Sequence, residues 1–152
     1  MRLLFFASAT LALTLFAFSC QNSSTPKVST ESGSAAEIPA DFTTFYEHFH
    51  ADSQFQVAHI VWPLQGLRLE TLADSSASQV KPYYWTPETW VMHRPVDYSE
   101  GHYARELQMM GDLLIVERIR VKAVNYGIER RFARQPDTGE WAMIYYSDIQ
   151  EL

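Results

Sequence analysis

The chain has 152 residues, with 12 basic against 18 acidic side chains for a net charge of −6, and 47% of its residues are hydrophobic. This balance argues against a general electrostatic attraction to nucleic acid or to anionic lipid. A single cysteine leaves the fold without an internal disulfide or a cysteine-ligated metal, so a packed core has to hold it together.

Residues 1–19 resemble a bacterial lipoprotein signal peptide. Arg2 precedes an apolar run from Leu3 to Phe18, and Ala17-Phe18-Ser19-Cys20 ends like a lipobox, with small residues at the two positions that need them. The run falls short of the roughly 20 residues that cross a bilayer core, and Ser8, Thr10 and Thr14 dilute it, which disfavours an uncleaved anchor. Ordinary signal-peptidase cleavage would leave a free terminal thiol, and a buried core helix fits poorly with the Ser/Thr-rich stretch that follows. On the lipoprotein reading the mature chain begins at Cys20, which carries more than one lipid chain, the condition for stable anchoring.

Residues 20–40 then comprise the lipidated cysteine and a disordered tether. Residues 21–40 hold seven Ser/Thr, two Pro and few large apolar side chains, too little to offset chain entropy. A coil of that length spans roughly 25 Å. Gln21 is not the Asp that resembles an inner-membrane retention signal, and no acidic run follows Cys20, so the expected address is the outer membrane, facing the periplasm. Losing the signal removes one of the 12 basic residues and none of the 18 acidic ones, giving a mature charge of −7.

Residues 41–152 turn sharply aromatic and aliphatic, the size of one ordinary domain. Asp41 reads as an N-cap, and Phe42, Phe45, Tyr46 and Phe49 recur at i, i+3, i+4 and i+7 as one apolar helix stripe. Asp52 or Ser53 is placed to cap a second short helix through about His59. Ile60 to Leu64 reads as extended, with Pro63 keeping it from being a central strand. Leu67 to Tyr84 reads as one strand and a long loop. Thr86-Pro87-Glu88 matches N-cap, N1 proline and an acidic first turn for a helix ending near His93. Strands are then expected at about His102–Met110, Leu113–Ala123, Ile128–Gln135 and Glu140–Tyr146. Gly111-Asp112, Asn125-Tyr126-Gly127 and Pro136-Asp137-Thr138-Gly139 mark the turns of an antiparallel meander. The expected class is α+β, N-terminal helices packed on a curved antiparallel sheet.

The segments from Phe45-Tyr46-Glu47 through His59-Ile60-Val61-Trp62-Pro63-Leu64-Gln65-Gly66, then Glu88 to His93, Tyr126 to Phe132, and Trp141 to Tyr146 resemble a Bacteroidota lipoprotein family known as domain-of-unknown-function family 4348. The resemblance covers nearly the whole mature domain. It implies a nuclear transport factor 2-like (cystatin-like) cone, a bent sheet around helices that often encloses a pocket. It carries over no catalytic residue.

Strand periodicity puts Ile115, Glu117, Ile119 and Val121 on one face, and Ile128, Arg130, Phe132 and Arg134 on one face of the next strand. Glu117 and Arg130 together in a concavity would bind a polar ligand or hold a general acid or base; at a rim they would be a weak cross-strand ion pair. His48-Phe49-His50 with Asp52 makes a poor metal site, because i and i+2 point about 200° apart on a helix, and reads as a solvated face. His59 is a core histidine with a backbone partner or a proton-transfer group. Trp90 and Trp141, with Tyr83 to Trp85 and Tyr145-Tyr146, suit pocket walls and suit a disulfide-free core equally.

No G-x-S-x-G elbow, H-E-x-x-H, P-loop or dinucleotide fingerprint is present, and no metal or cofactor is implied. Two readings follow: a non-enzymatic module binding a small molecule or an envelope protein, with membrane attachment through the lipid and no nucleic-acid role, or a small isomerase- or dehydratase-type enzyme using Glu117, His59 or a tyrosine. A binder predicts an aromatic pocket with one or two hydrogen-bonding groups. An enzyme predicts a buried carboxylate or histidine of shifted pKa beside a vacant site. A pocketless interaction domain would show a filled core and a large exposed apolar patch.

Overall fold

The computed structural model describes residues 37–71, 78–124 and 126–150. The expected signal peptide (residues 1–19), Cys20 and most of the expected tether lie outside these residues, as does Asn125. Helix α1 (Ala40–Ala51) is followed by α2 (Ser53–Ala58) and by six strands, β1 (Ile60–Thr71), β2 (Ser78–Trp85), β3 (Tyr103–Met110), β4 (Leu114–Val121), β5 (Tyr126–Arg134) and β6 (Trp141–Ile149). They form one sheet in the order β2-β1-β6-β5-β4-β3. No helix among the described residues is long and apolar enough to cross a membrane.

The apolar stripe builds the core as its spacing predicts. Phe42, Phe45 and Phe49 are buried against the sheet, and Phe132 of β5 meets Phe42 and Phe49 edge-on at centroid distances of 5.5 Å each. Such edge-to-face pairs add about 0.5–1.5 kcal/mol beyond area burial. Leu64, Ile115, Trp141 and Met143 complete the cluster.

Asp41 is not the cap. Pro39 precedes the first turn without a side-chain cap bond, and Asp41 instead binds Arg134 of β5 at 2.7 Å and accepts from the Trp141 indole at 3.4 Å. Asp52 does cap α2, its Oδ1 accepting from Gln54 N–H at 2.8 Å and Phe55 N–H at 3.1 Å.

β3 to β6 form the expected antiparallel meander, whereas β1 joins β6 in parallel, which makes the sheet mixed. Three local expectations are corrected. β1 is interior despite Pro63, because Pro63 falls in the register break between Ile60 and Gln65, where β6 asks nothing of its missing N–H, and pairing with β2 starts at Leu64. The second half of β1 and β2 form an antiparallel ladder from Leu64↔Trp85 to Thr71↔Ser78, so the described parts of the stretch after Leu67 are two paired strands rather than one. Thr86–Thr89 makes only one turn, closed by Trp90 N–H on Thr86 O at 3.0 Å, after which the chain has no regular secondary structure to Tyr98.

Gln56 explains why that helix does not form. Its amide is fully buried and uses all four hydrogen-bonding positions: Nε2 donates to Phe49 O (2.7 Å) and His93 O (2.8 Å), and Oε1 accepts from the Trp90 indole (3.0 Å) and His93 N–H (2.8 Å). The backbone at 90–93 is therefore held by a side chain of α2, an arrangement a continuing helix would break. Gln56→Leu is expected to lose about 2–4 kcal/mol, since it strands two buried carbonyls, a buried N–H and an indole N–H. A urea midpoint within error of wild type would refute the clamp.

Gly127 marks no turn. It lies in β5 opposite Arg120 and Ile149, and a Cβ there would come 2.6 Å from Ile119 O. The bend sits earlier, at Val121–Val124, closed by Val124 N–H on Val121 O.

Candidate functional site

β4 and β5 pair in regular register, so Glu117 stands directly opposite Arg130 on the face covered by α1. Both are buried, at 0% and 1% exposure. The expected juxtaposition is present, and it is the centre of a larger network. Arg130 Nε donates to Glu117 Oε2 at 2.7 Å, and Nη2 reaches the same oxygen at 2.7 Å and the Tyr46 hydroxyl at 2.9 Å. Its Nη1 meets His50 Nε2 at 2.8 Å and His93 Nδ1 at 3.3 Å. All five guanidinium hydrogens thus have acceptors. Glu117 Oε1 accepts from the Tyr46 hydroxyl and from Arg105 Nε, each at 2.6 Å, so both carboxylate oxygens are doubly occupied. Arg105 also stacks over the Tyr46 ring at 4.4 Å.

These contacts fix proton positions. A guanidinium only donates, so His50 Nε2 and His93 Nδ1 are lone pairs and both rings are neutral; His50 Nδ1–H donates to Tyr46 O at 2.8 Å. His93 accordingly keeps its proton on Nε2. Burial first, and then the Arg130 charge, push His50 down to about 4 and His93 down to about 3, with His50 adding to the effect on His93. Burial alone would raise the Glu117 carboxyl. Arg130, the Tyr46 hydroxyl and Arg105 together outweigh it and hold Glu117 below the usual glutamate value. Burial raises the Tyr46 hydroxyl well above the ordinary tyrosine range.

The fold should therefore be acid-labile. Unfolded histidines take up a proton near their ordinary 6.5, whereas the folded ones resist until about 4 and about 3, so protons favour the unfolded chain as pH falls. The contribution is complete above about pH 6.5 and is lost through the two folded values, at about 1.4 kcal/mol for each tenfold difference in proton affinity between the folded and unfolded chain. Glu117 acts in the same direction lower down. Thermal midpoints measured from pH 8 to pH 4 are expected to fall steeply below 6.5, and less steeply in His93→Gln. A flat profile would contradict the neutral tautomers.

His93 joins this cluster to a cavity of about 230 Å³ between β1, β2, β6 and the 86–93 segment. Trp85, Trp90, Tyr83 and Tyr146 form its walls, with Arg68, Thr89, Val91, His93 and Asp148 completing it. Trp90 stands perpendicular to both Trp85 and Tyr146, and its ring centroid is 4.5 Å from that of His93.

The five candidate residues separate into two places. Glu117, Arg130 and Trp90 belong to the network and the cavity beside it. His59 and Trp141 line another depression of about 270 Å³ with Asp41, Phe45, Phe55 and Glu140. There His59 stacks on Phe55 at 3.8 Å, donates from Nδ1 to Phe55 O at 2.8 Å, and lies 4.0 Å from Glu140. Trp141 carries Arg134 over its ring at 4.5 Å.

His50 corrects the solvated-face reading. His48 is exposed and stacks on Phe55, whereas His50 is buried at 2%. Its signal lay in the helix phase, since it stands one turn beyond Tyr46 and beside Phe49. Tyr46 was visible only as apolar, and Arg105, Gln56 and His93 carried no local signal. Among the described residues no cluster of His, Cys, Asp and Glu forms a metal site.

Solved structures share this architecture. An NTF2-like protein from Bacteroides fragilis superposes with a TM-score of 0.52 at 20% identity over 76% of this chain. The fold is NTF2-like. A cystatin-like protein from Bacteroides caccae gives a TM-score of 0.50 at 20% identity, covering 74% of this chain and 78% of that one. The chain spans half the length of the B. fragilis protein. No family model matches the chain, and no curated protein matches it.

Proposed function

We propose that this chain is a lipid-anchored envelope protein whose NTF2-like domain binds a small molecule without transforming it. The observation that carries the reading is the contrast between its two polar features. Glu117 is the buried carboxylate an enzyme would use, yet its oxygens already hold four donors and the Arg130 guanidinium has no hydrogen left to give. A general acid or base needs a free position toward its substrate. The neighbouring cavity has aromatic walls interspersed with Arg68, Thr89, His93 and Asp148, a mixture of ring surface and polar groups that supports its reading as a binding pocket.

The envelope address is supported by the lipobox-like Ala17-Phe18-Ser19-Cys20 and by the resemblance to the Bacteroidota lipoproteins of domain-of-unknown-function family 4348. The test is mass spectrometry of the full chain purified from its own envelope in mild detergent, native against denatured. The expected result is acylation that Cys20→Ser abolishes, together with a small bound mass that denaturation releases. An unacylated protein would refute the anchor, and an apo mass would refute the binding module.

A further inference from the structure

The geometry points to a ligand class for the aromatic cavity: a small aromatic carboxylate, its anionic group held by Arg68 and its ring lying against Trp90 and Tyr146. The inference rests on the binding reading above. Arg68 is the cavity's only arginine or lysine. It projects from β1 and lies over the Tyr83 ring at 4.9 Å, and no described carboxylate pairs with it. A guanidinium positioned over an aromatic ring still has its planar fork of donors to offer a carboxylate.

The other charged wall residue does not compete for that role. Asp148 Oδ2 accepts Leu69 N–H at 2.8 Å, and its Oδ1 accepts the Tyr126 hydroxyl at 2.9 Å and the Tyr146 hydroxyl at 3.4 Å. Both of its oxygens are thus engaged within the fold by neutral donors, which leaves Arg68 as the charged wall residue with hydrogen-bonding positions to offer a ligand. His93 is neutral, with its remaining proton on Nε2, so it adds a donor and no negative charge.

The body of the ligand follows from what the walls lack. A sugar presents several hydroxyls and needs a matching set of free hydrogen-bonding side chains. Here the Thr89 hydroxyl is engaged with Thr86, accepting its N–H at 2.9 Å and donating to its carbonyl at 3.2 Å, and both Asp148 oxygens are occupied. Tyr83 carries Arg68 over its ring and Trp85 is buried among its aromatic neighbours, so the ring surface offered to a ligand is that of the half-buried Trp90 and Tyr146, which suits a flat apolar ring. The volume of about 230 Å³ is smaller than the cavities that enclose drug-sized ligands, and so fits a single ring with a short acidic arm.

The test is isothermal titration of the full detergent-solubilised chain with phenylacetate, its neutral isostere phenylacetamide, and glucuronate. Phenylacetate is expected to bind about tenfold or more tightly than phenylacetamide, and glucuronate not at all. Arg68→Gln, a change on an exposed strand position checked by an unchanged thermal midpoint, is expected to abolish the difference. Equal binding of acid and amide would overturn the role of Arg68, and binding of glucuronate in place of phenylacetate would overturn the aromatic body. If none of the three binds, the inference fails; a bound mass in the native spectrum then leaves the binding module standing, whereas an apo spectrum removes both.

Discussion

Glu117→Ala is expected to cost about 3–5 kcal/mol, a large part of the stability of a domain this size. The cost is not the loss of one attractive pair. Removing the carboxylate leaves Arg130 buried at 1% exposure with its charge uncompensated, and strips the Tyr46 hydroxyl and Arg105 of their acceptor. Arg130→Ala is expected to be similarly severe, because the Glu117 charge would remain buried. The double change Glu117→Leu with Arg130→Met removes both charges and retains volume, so it should cost clearly less than the sum of the two single truncations. Urea midpoints at pH 7 for the three variants make the comparison. Additive losses would show that the two residues stabilise the fold independently.

Gly66→Ala is expected to be about as damaging, on the order of 4 kcal/mol or outright failure to fold. A Cβ at this position would lie 1.5 Å from Tyr146 O and 3.0 Å from the Trp85 ring. The first neighbour is backbone, so no rotamer relieves the overlap and the parallel β1–β6 ladder has to open. That ladder is what joins the β1–β2 pair, and with it one wall of the cavity, to the rest of the sheet. Gln65→Ala, one residue away and exposed, should stay within about 0.5 kcal/mol of wild type. Soluble expression and thermal midpoints of the pair decide the matter, and equal stability would mean that β1 and β6 do not approach this closely.

The parts of this fold legible in the sequence were those governed by a period. The Phe42, Phe45, Phe49 stripe repeats at helical spacing, and the alternation through Ile115, Glu117 and Ile119 against Ile128, Arg130 and Phe132 set the faces of β4 and β5. Because those strands pair without a bulge, parity alone placed Glu117 opposite Arg130. The break in register falls between Arg131 and Phe132 on the side facing β6, where it leaves this pair untouched. What stayed illegible depends on distant partners. Good local capping at Thr86-Pro87-Glu88 lost to a buried amide on α2 that claims the backbone of His93. Pro63 argued correctly against continuous pairing, but a register break lets an interior strand accommodate it. His50 looked like one of two exposed histidines until an arginine some 80 positions along the chain supplied its partner.

The order of the strands bears on how the chain reaches this state. β6 lies between β1 and β5, so the last of the described strands is a central seam of the sheet. Before it is in place, the β1–β2 pair and the β3–β4–β5 meander are separate pieces with no shared ladder, and Phe42 lacks the Trp141 ring it meets at 5.2 Å. Closure brings together residues such as Gly66 and Tyr146, far apart in the chain, after a large loss of loop entropy. Synthesis from the N-terminus therefore yields a domain that cannot lock until β6 has emerged, and its earlier strands stay threadable until then.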